Sequence, residues 1–358
     1  MINYKHLLLA CVLLAACDGN PFLPDEDPVV VPPPNPAPNI GGINGVGAPV
    51  TTGTPSRERT IVRREKKDNS NGNGFVADVT YTAATGTSPE TFSVDGLAFD
   101  GGNVYNRDNQ VGSLGPFAVY EADPVYNDDV TGVPISQFVH RAIYGVSRTG
   151  RTEFAIVRTG SYSEFGFGGF VYQRNGSVTL PAADGQASYT GEYAGLRDFE
   201  GASGIVPSGL EYTTGTMTVD IDFNDFNEGD AVRGRVYNRA IFDIDGEDIT
   251  NDVVSALNDA NETTMTQLPT LLFKVGPEAL DANGEMGGVI DSDTRSSTAA
   301  AKKYEQGNFY AVISGDATAG GNDEIVGVIV VESADPRYKD VMARETGGFL
   351  LYRSPTAP

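Results

Sequence analysis

Past residue 74 the chain alternates apolar and polar side chains with a period of two. In the run 216–223, Met217, Val219, Ile221 and Phe223 fall on one face and Thr216, Thr218, Asp220 and Asp222 on the other. That is the pattern of an antiparallel strand with one wet face. Ala187, Tyr189, Gly191 and Tyr193 repeat it, and 232–242, 309–313 and 325–331 are further strand candidates. Earlier in the chain, 75–82, 138–146 and 153–158 read the same way. The connections are rich in Asn, Asp and Gly, as in 224–229, which favours tight turns. Helical periodicity is confined to 251–262, where Thr250 is the candidate cap, and to 298–306. The expectation is an all-β protein with one or two helical insertions.

Glycines inside the expected strands refine this picture. Gly191, Gly234 and Gly327 would weaken flat strands, but in a closed barrel glycine relieves crowding where strands bend. An internal echo points the same way. Gly168-Gly169-Phe170 is followed four residues after the Phe by Arg174, and Gly347-Gly348-Phe349 is followed at the same distance by Arg353. If these are the first and last strands of one sheet, pairing them closes it and removes both edges. Chance recurrence of Gly and aromatic residues is the alternative.

The N-terminal region follows a different logic. Residues 1–16 carry Lys5 and then the apolar run 7–14, too short for the ~20 residues that span a bilayer as a helix, and read as a cleaved export signal. Leu14-Ala15-Ala16-Cys17 resembles the lipobox of bacterial lipoproteins, which implies a diacylglycerylated Cys17 as the new N-terminus; an ordinary secretory signal with a chance Cys is the other reading. More than one acyl chain gives stable anchoring. Asp18, directly after the Cys, favours inner-membrane retention in enterobacteria. The outer membrane is the favoured destination, and the inner membrane stays open. Residues 21–55 hold ten of the 21 prolines, then a glycine-rich stretch, so 17–74 is expected to be a disordered, lipidated tether. Within it, 57–67 holds six basic and two acidic residues. It reads as a solvated linker, with a patch for anionic lipid as the alternative.

Charge and composition then exclude function classes. The net charge is −23, and from Asp68 onward 18 basic side chains face 42 acidic ones. Such a domain repels nucleic acid. Cys11 leaves with the leader and Cys17 is capped, so no disulfide scaffold is available. His6 leaves as well, and His140 remains as the one imidazole. It is read as a strand-surface residue, opposite Val139 and Arg141, and not as a catalytic base. Asp220-x-Asp222-x-Asn224 begins like a calcium loop but has Asp225 where glycine is required and Ala231 where Glu is required. In Asp243-Ile-Asp245-Gly246-Glu247-Asp248 the glycine comes too early. Neither Gly-x-Ser-x-Gly nor a phosphate-binding loop occurs. The 16 tyrosines offer ferric or haem ligands in principle, but their first duty in a barrel is packing. No catalytic, cofactor-binding or metal residue is expected.

Several short segments together resemble a family. Tyr189-Thr-Gly191-Glu-Tyr193-Ala-Gly195, Gly215 through Phe223, Val232-Arg-Gly234-Arg-Val, Gly315, and Asp323-Glu324-Ile-Val-Gly327 look like the barrel of transferrin-binding protein B-like surface lipoproteins, over about 165–353. The resemblance implies an eight-stranded antiparallel barrel at 161–358 preceded by a smaller β-rich handle, here 75–160, on a lipidated stalk. It further implies a non-enzymatic binding or display module whose protein or solute partner is unknown. A structural or assembly factor of the envelope is the alternative. The chain has room for one handle and one barrel, and transferrin binding itself does not carry over.

Overall fold

The computed structural model describes residues 47–354 except 52, 70–71, 98–103, 137, 161–164, 183–184, 201–208, 224–230, 274–278 and 296–300. The export signal, Cys17 and the proline-rich segment before residue 47 lie outside the described residues, as does the 224–229 turn.

Twelve strands come first: β1 (Pro49–Thr51), β2 (Ile61–Glu65), β3 (Asp78–Thr82), β4 (Thr91–Asp95), β5 (Val104–Arg107), β6 (Ser113–Leu114), β7 (Phe117–Ala122), β8 (Val125–Asn127), β9 (Pro134–Ser136), β10 (His140–Val146), β11 (Thr152–Thr159) and β12 (Gly168–Arg174). All but β8 and β9 form one sheet, in the order β1-β2-β12-β11-β10-β7-β5-β4-β3, with β6 beside β7. β8 and β9 make a separate hairpin. The second half holds β13 (Val178–Thr179), β14 (Gly185–Glu200), β15 (Leu210–Phe223), β16 (Ala231–Phe242), α1 (Thr250–Asn261), β17 (Leu271–Phe273), β18 (Glu285–Thr294), β19 (Lys302–Asp316), β20 (Glu324–Ala334) and β21 (Met342–Arg353). Strands β14 to β21 pair antiparallel in sequence, and β21 returns to β14 with Tyr193 opposite Phe349, closing the expected eight-stranded barrel. β13 adds in parallel to β19.

Alternation sorts the side chains into three apolar layers. Inside the barrel pack Tyr189, Tyr193, Met217, Val219, Ile221, Phe309 and Phe349. The other faces of β14, β19, β20 and β21 send Leu196, Tyr310, Val328 and Leu350 outward, against Phe117, Ile143, Phe154, Ile156 and Phe170 of the ten-stranded sheet. The far side of that curled sheet encloses Phe92, Val94, Tyr120, Tyr144, Val157 and Val171. β11 is therefore buried on both faces, which is why it reads as a nearly continuous apolar run. The barrel's outer wall is apolar where the sheet covers it. On β15 and β16 the wall carries Thr216, Thr218, Asp220, Arg233 and Arg235, all half-buried or exposed.

Glycine makes the barrel interior possible. A side chain on Gly347 would collide with the Tyr193 ring, and one on Gly234 would come 2.6 Å from the Phe273 ring. Of the strand glycines singled out in the sequence, Gly234 makes such room, and Gly347 does the same.

Five local expectations are corrected. The stretch 57–67 is not wholly a solvated linker: β2 pairs with β12 through Ile61 to Arg64. Arg63 is buried, its Nε 2.6 Å and its Nη2 2.8 Å from the two oxygens of Glu285 on β18. Burial opposes that charge, but the forked bond to Glu285 outweighs it and raises the guanidinium above its usual range. Arg57, Arg59, Lys66 and Lys67 do remain exposed, and β1 likewise lies in what composition marks as tether. Of the second expected helix, 298–306, residues 298–300 lie outside the described residues and the rest leads into the start of β19. Its residues 302–306 pair with β18, because Glu305 is drawn into the barrel by Arg239. The two Gly-Gly-Phe segments do not pair, since β12 belongs to the ten-stranded sheet and closure is made by β14 and β21.

His140 is the fourth. It is 0% exposed, because β10 lies inside a sheet covered on both faces. Its Nδ1 lies 3.2 Å from the Phe138 carbonyl, and Nε2 has no partner among the described residues. Burial pulls its pKa down from 6.5 to about 4, slightly offset by that carbonyl. Between those values the unfolded chain binds a proton that the folded one refuses, so stability falls as pH drops through this window, by ~3 kcal/mol in all. His140→Gln takes up no proton and is expected to flatten this part of the profile. Urea unfolding of both proteins across the window checks it, and equal pH slopes would refute the assignment.

The first helix forms close to where periodicity places it. Val253, Val254 and Leu257 bury against Ile241 and Leu268, at about 2 kcal/mol for each large apolar side chain. Thr250 is not the cap. Its hydroxyl accepts the Ile241 N–H at 2.9 Å, and Asp248 takes the Thr250 N–H at 2.9 Å. Helix and barrel wall are thereby joined.

Candidate functional site

The residues weighed for metal chemistry have other partners. Asp220 accepts from the Ser188 hydroxyl at 2.7 Å and from Arg233 at 2.7 Å, and Asp222 accepts from Gln186 at 2.9 Å. Both acids lie on the outer face of β15, as alternation requires, while Asn224 and Asp225 lie outside the described residues. Asp243 accepts the N–H groups of Asp245 and Glu247 at 2.9 and 2.8 Å, and so shapes a turn. Among the described residues no group of three or more His, Cys, Asp or Glu side chains is placed to hold a metal ion. Tyr189 and Tyr193 point into the barrel, where they donate to Asp323 and to Glu345. Burial first, and these carboxylates second, push both phenols well above their usual range. That opposes the phenolate a ferric ion would need.

One end of the barrel interior is polar, a feature the sequence does not announce. Arg239 on β16 binds Glu305 of β19 at 2.7 Å and Glu345 of β21 at 3.0 Å. Arg197 on β14 binds Glu211 at 2.5 Å and Asp335 at 3.3 Å, and Arg337 closes the circuit to both acids at 2.7 Å. Four carboxylates thus share three guanidiniums. Burial works against the charge on Glu305, but Arg239 and a hydrogen bond from Ser292 hold its carboxyl below the usual carboxylate range. Every charged group of this network has a partner of opposite sign, although Arg239 Nε finds no hydrogen bond among the described residues, so its chemistry is positional. It fixes the register of five strands at the barrel end instead of presenting a free acid or base.

Charge pairs also stitch the barrel to the curled sheet. Arg158 of β11 reaches Glu65 at 3.0 Å and Asp198 at 3.7 Å, while Arg344 of β21 binds Asp198 at 2.8 Å. At the opposite side Thr149 and Thr152 donate to Glu324 at 2.9 and 2.8 Å. Arg174 donates to five backbone carbonyls, those of Ser56, Arg59, Gly176, Asn283 and Ile313.

The exposed apolar residues are concentrated elsewhere. The β8–β9 hairpin and its loop carry Val125, Val130, Val133 and Ile135 at the surface, with Val139 close by, and Val130 is 93% exposed at the tip. Asp128 accepts the N–H groups of Val130 and Thr131 at 3.0 and 2.6 Å, so the tip is a defined turn. A set of large apolar side chains held in water on a shaped hairpin is the candidate contact surface. Its short strands carry little signal in the sequence, and periodicity did not find them.

No protein-family profile matches the chain, and no curated protein matches it. Among solved structures, a double mutant of the vaccine antigen transferrin-binding protein B from Haemophilus parasuis Hp5 is similar over 83% of this chain and 52% of that one, at 12% identity and a TM-score of 0.34. The chain spans about half the length of that protein. A protein of unknown function from the DUF3598 family of Nostoc punctiforme PCC 73102 is similar over 82% and 88% of the two chains, at 10% identity and a TM-score of 0.18. Similarity at this level concerns the fold alone. No helix among the described residues is long and apolar enough to cross a membrane, which says nothing of a β-barrel.

Proposed function

We propose that the protein is a non-enzymatic binding module of the bacterial envelope, of the transferrin-binding protein B-like type, held to the membrane by lipid on Cys17 and favouring the outer membrane. The observation that carries the binding role is the β8–β9 hairpin, where Val125, Val130, Val133 and Ile135 stay in water close together, with Val130 the most exposed of the large apolar side chains described. The anchor rests on the Leu14-Ala15-Ala16-Cys17 segment. A strongly acidic domain suits a protein or solute partner and not nucleic acid.

Two measurements test this. Intact-mass analysis is expected to show a diacylglyceryl group on Cys17, and Cys17→Ala to accumulate as unanchored precursor; an unmodified, freely soluble wild type overturns the anchor. For the binding role, crosslinking in the native envelope is expected to retain a partner that Val130→Asp with Ile135→Asp loses, without a change in melting temperature. Capture of nothing, together with envelope defects on deletion, would favour the scaffold role instead.

A further inference from the structure

Beside the hairpin lies a cleft of about 430 Å³ that the binding role above does not use. It is lined by β5, β7, β10 and the turns that follow β5 and β7. Its floor is rigid. Arg141 binds Asp108 at 3.3 Å and Glu121 at 2.5 Å, and donates to the Tyr212 hydroxyl of β15 at 3.2 Å. Asp108 is held in turn by the N–H groups of Gln110 and Val111 at 2.7 and 3.2 Å. The Arg141 side chain is only 9% exposed.

The charges in this cleft are spent on one another. Arg107 at the wall pairs with Glu90 at 2.7 Å, and Asp123 uses one carboxylate oxygen to accept the Val125 N–H at 2.9 Å. What remains is a set of neutral amides. Asn106, Asn109 and Gln110 line the cleft, are exposed, and have no side-chain hydrogen-bond partner among the described residues. Each offers an acceptor oxygen and two N–H donors in one plane. Ala122 and Pro124 add small apolar surfaces beside them.

That combination selects a ligand class. An anion meets Asp108, Glu121 and Asp123, and Arg141, the buried cation of the floor, is already bound to two of them. A metal ion finds no free set of oxygen ligands there. A neutral ligand carrying vicinal hydroxyls, each both donor and acceptor, matches planar amides and neutralised carboxylates, and its C–H faces match Pro124.

We propose that this cleft binds a neutral saccharide of one or two units, with Asn106, Asn109 and Gln110 as the discriminating contacts and the Arg141–Asp108–Tyr212 floor holding them in place. The inference is independent of the lipid anchor and of the hairpin. Neutral hydrogen bonds exchanged against water give modest net gain, so affinity is expected in the millimolar range.

Saturation-transfer NMR on the full chain, kept in a non-glycosidic detergent, tests it with glucose, galactose, mannose, N-acetylglucosamine, maltose and lactose at millimolar concentration, beside phosphate and calcium chloride as controls. At least one sugar is expected to receive saturation and to be displaced by unlabelled competitor. Asn106→Ala with Asn109→Ala, both surface changes, is expected to weaken it at least tenfold while leaving the melting temperature unchanged. Silence from every sugar, binding that survives the double substitution, or a response to phosphate or calcium alone each overturns the proposal. Hairpin substitutions such as Val130→Asp are expected to leave the sugar response intact, which separates this site from the partner surface.

Discussion

A chain shortened to begin at Asp68 is expected to lose its cooperative unfolding transition, whereas one beginning at Gly47 keeps it. Composition alone places residues 47–67 in a dispensable stalk, but β2 fills the edge of the sheet beside β12 and brings three buried side chains with it. Without Arg63 and Glu65, Glu285 and Arg158 are left buried and deprived of principal partners. Stranding one member of a buried ion pair costs about 3–5 kcal/mol, so two such losses approach the whole stability of a typical domain, about 5–15 kcal/mol. A gentler form keeps the chain complete. Arg63→Met is expected to destabilise by roughly 3–5 kcal/mol, and adding Glu285→Met to restore most of that, since a matched apolar pair often replaces a buried ion pair at little cost. Urea unfolding reads both. An unchanged midpoint in Arg63→Met, or in the chain begun at Asp68, would remove β2 from the fold.

The second large effect is expected at the polar end of the barrel. Arg239→Met leaves Glu305 with the Ser292 hydroxyl, and Glu345 with the Tyr193 hydroxyl and with Arg197 at 4.0 Å, as their remaining partners. The four carboxylates of that network then share two guanidiniums. A loss of about 3–5 kcal/mol at neutral pH follows, and its pH dependence distinguishes it from a simple packing defect. Protonating Glu305 removes its uncompensated charge, so the deficit is expected to shrink as pH falls towards the acid range, where the wild type instead loses the benefit of Glu305 held ionised. A deficit independent of pH would mean that the guanidinium is felt through its bulk and not its charge.

These two sites also mark the limit of what period two reveals. The barrel strands were legible because each keeps one apolar face over many residues, as Met217 to Phe223 do, and because strand glycines recur where rings fill the interior. The buried ion pairs were not. Arg63 meets Glu285 across 222 positions, and in sequence each looks like ordinary surface charge. The same blindness misplaced the second helix: Ala299, Ala300 and Ala301 favour helix locally, but Glu305 has its partner on β16, and tertiary pairing wins. His140 and Arg141 show a related failure. Alternation assigns one of two neighbours to water, and cannot register that β10 is covered on both sides. The repeated Gly-Gly-Phe was a real signal with another cause. Gly169 lies against Val76, and a side chain on Gly348 would meet the Phe154 ring, so each pair marks close layering and not a shared sheet edge. The candidate sites were the least visible, because hairpin and cleft are built from short strands and loop amides whose meaning comes from what surrounds them.

The entry of the chain through β1 and β2 gives the protein a mechanical character. Any pull on the N-terminal segment first reaches Gly47 and the three-residue strand β1, which is held by its pairing with β2 and by the seat of Gly47 on Val330. So short a strand yields before the rest. Its release pays out only the segment from Pro49 to Pro55, roughly 25 Å when extended; tension then meets the carbonyls of Ser56, Arg57 and Arg59, held by Arg174 and by the Val178 N–H, and after them β2, where the Arg63–Glu285 fork and the Glu65–Arg158 pair lock the strand to both barrel and sheet. Under load the fold would thus lengthen by one reversible step while the barrel and the hairpin keep their shape.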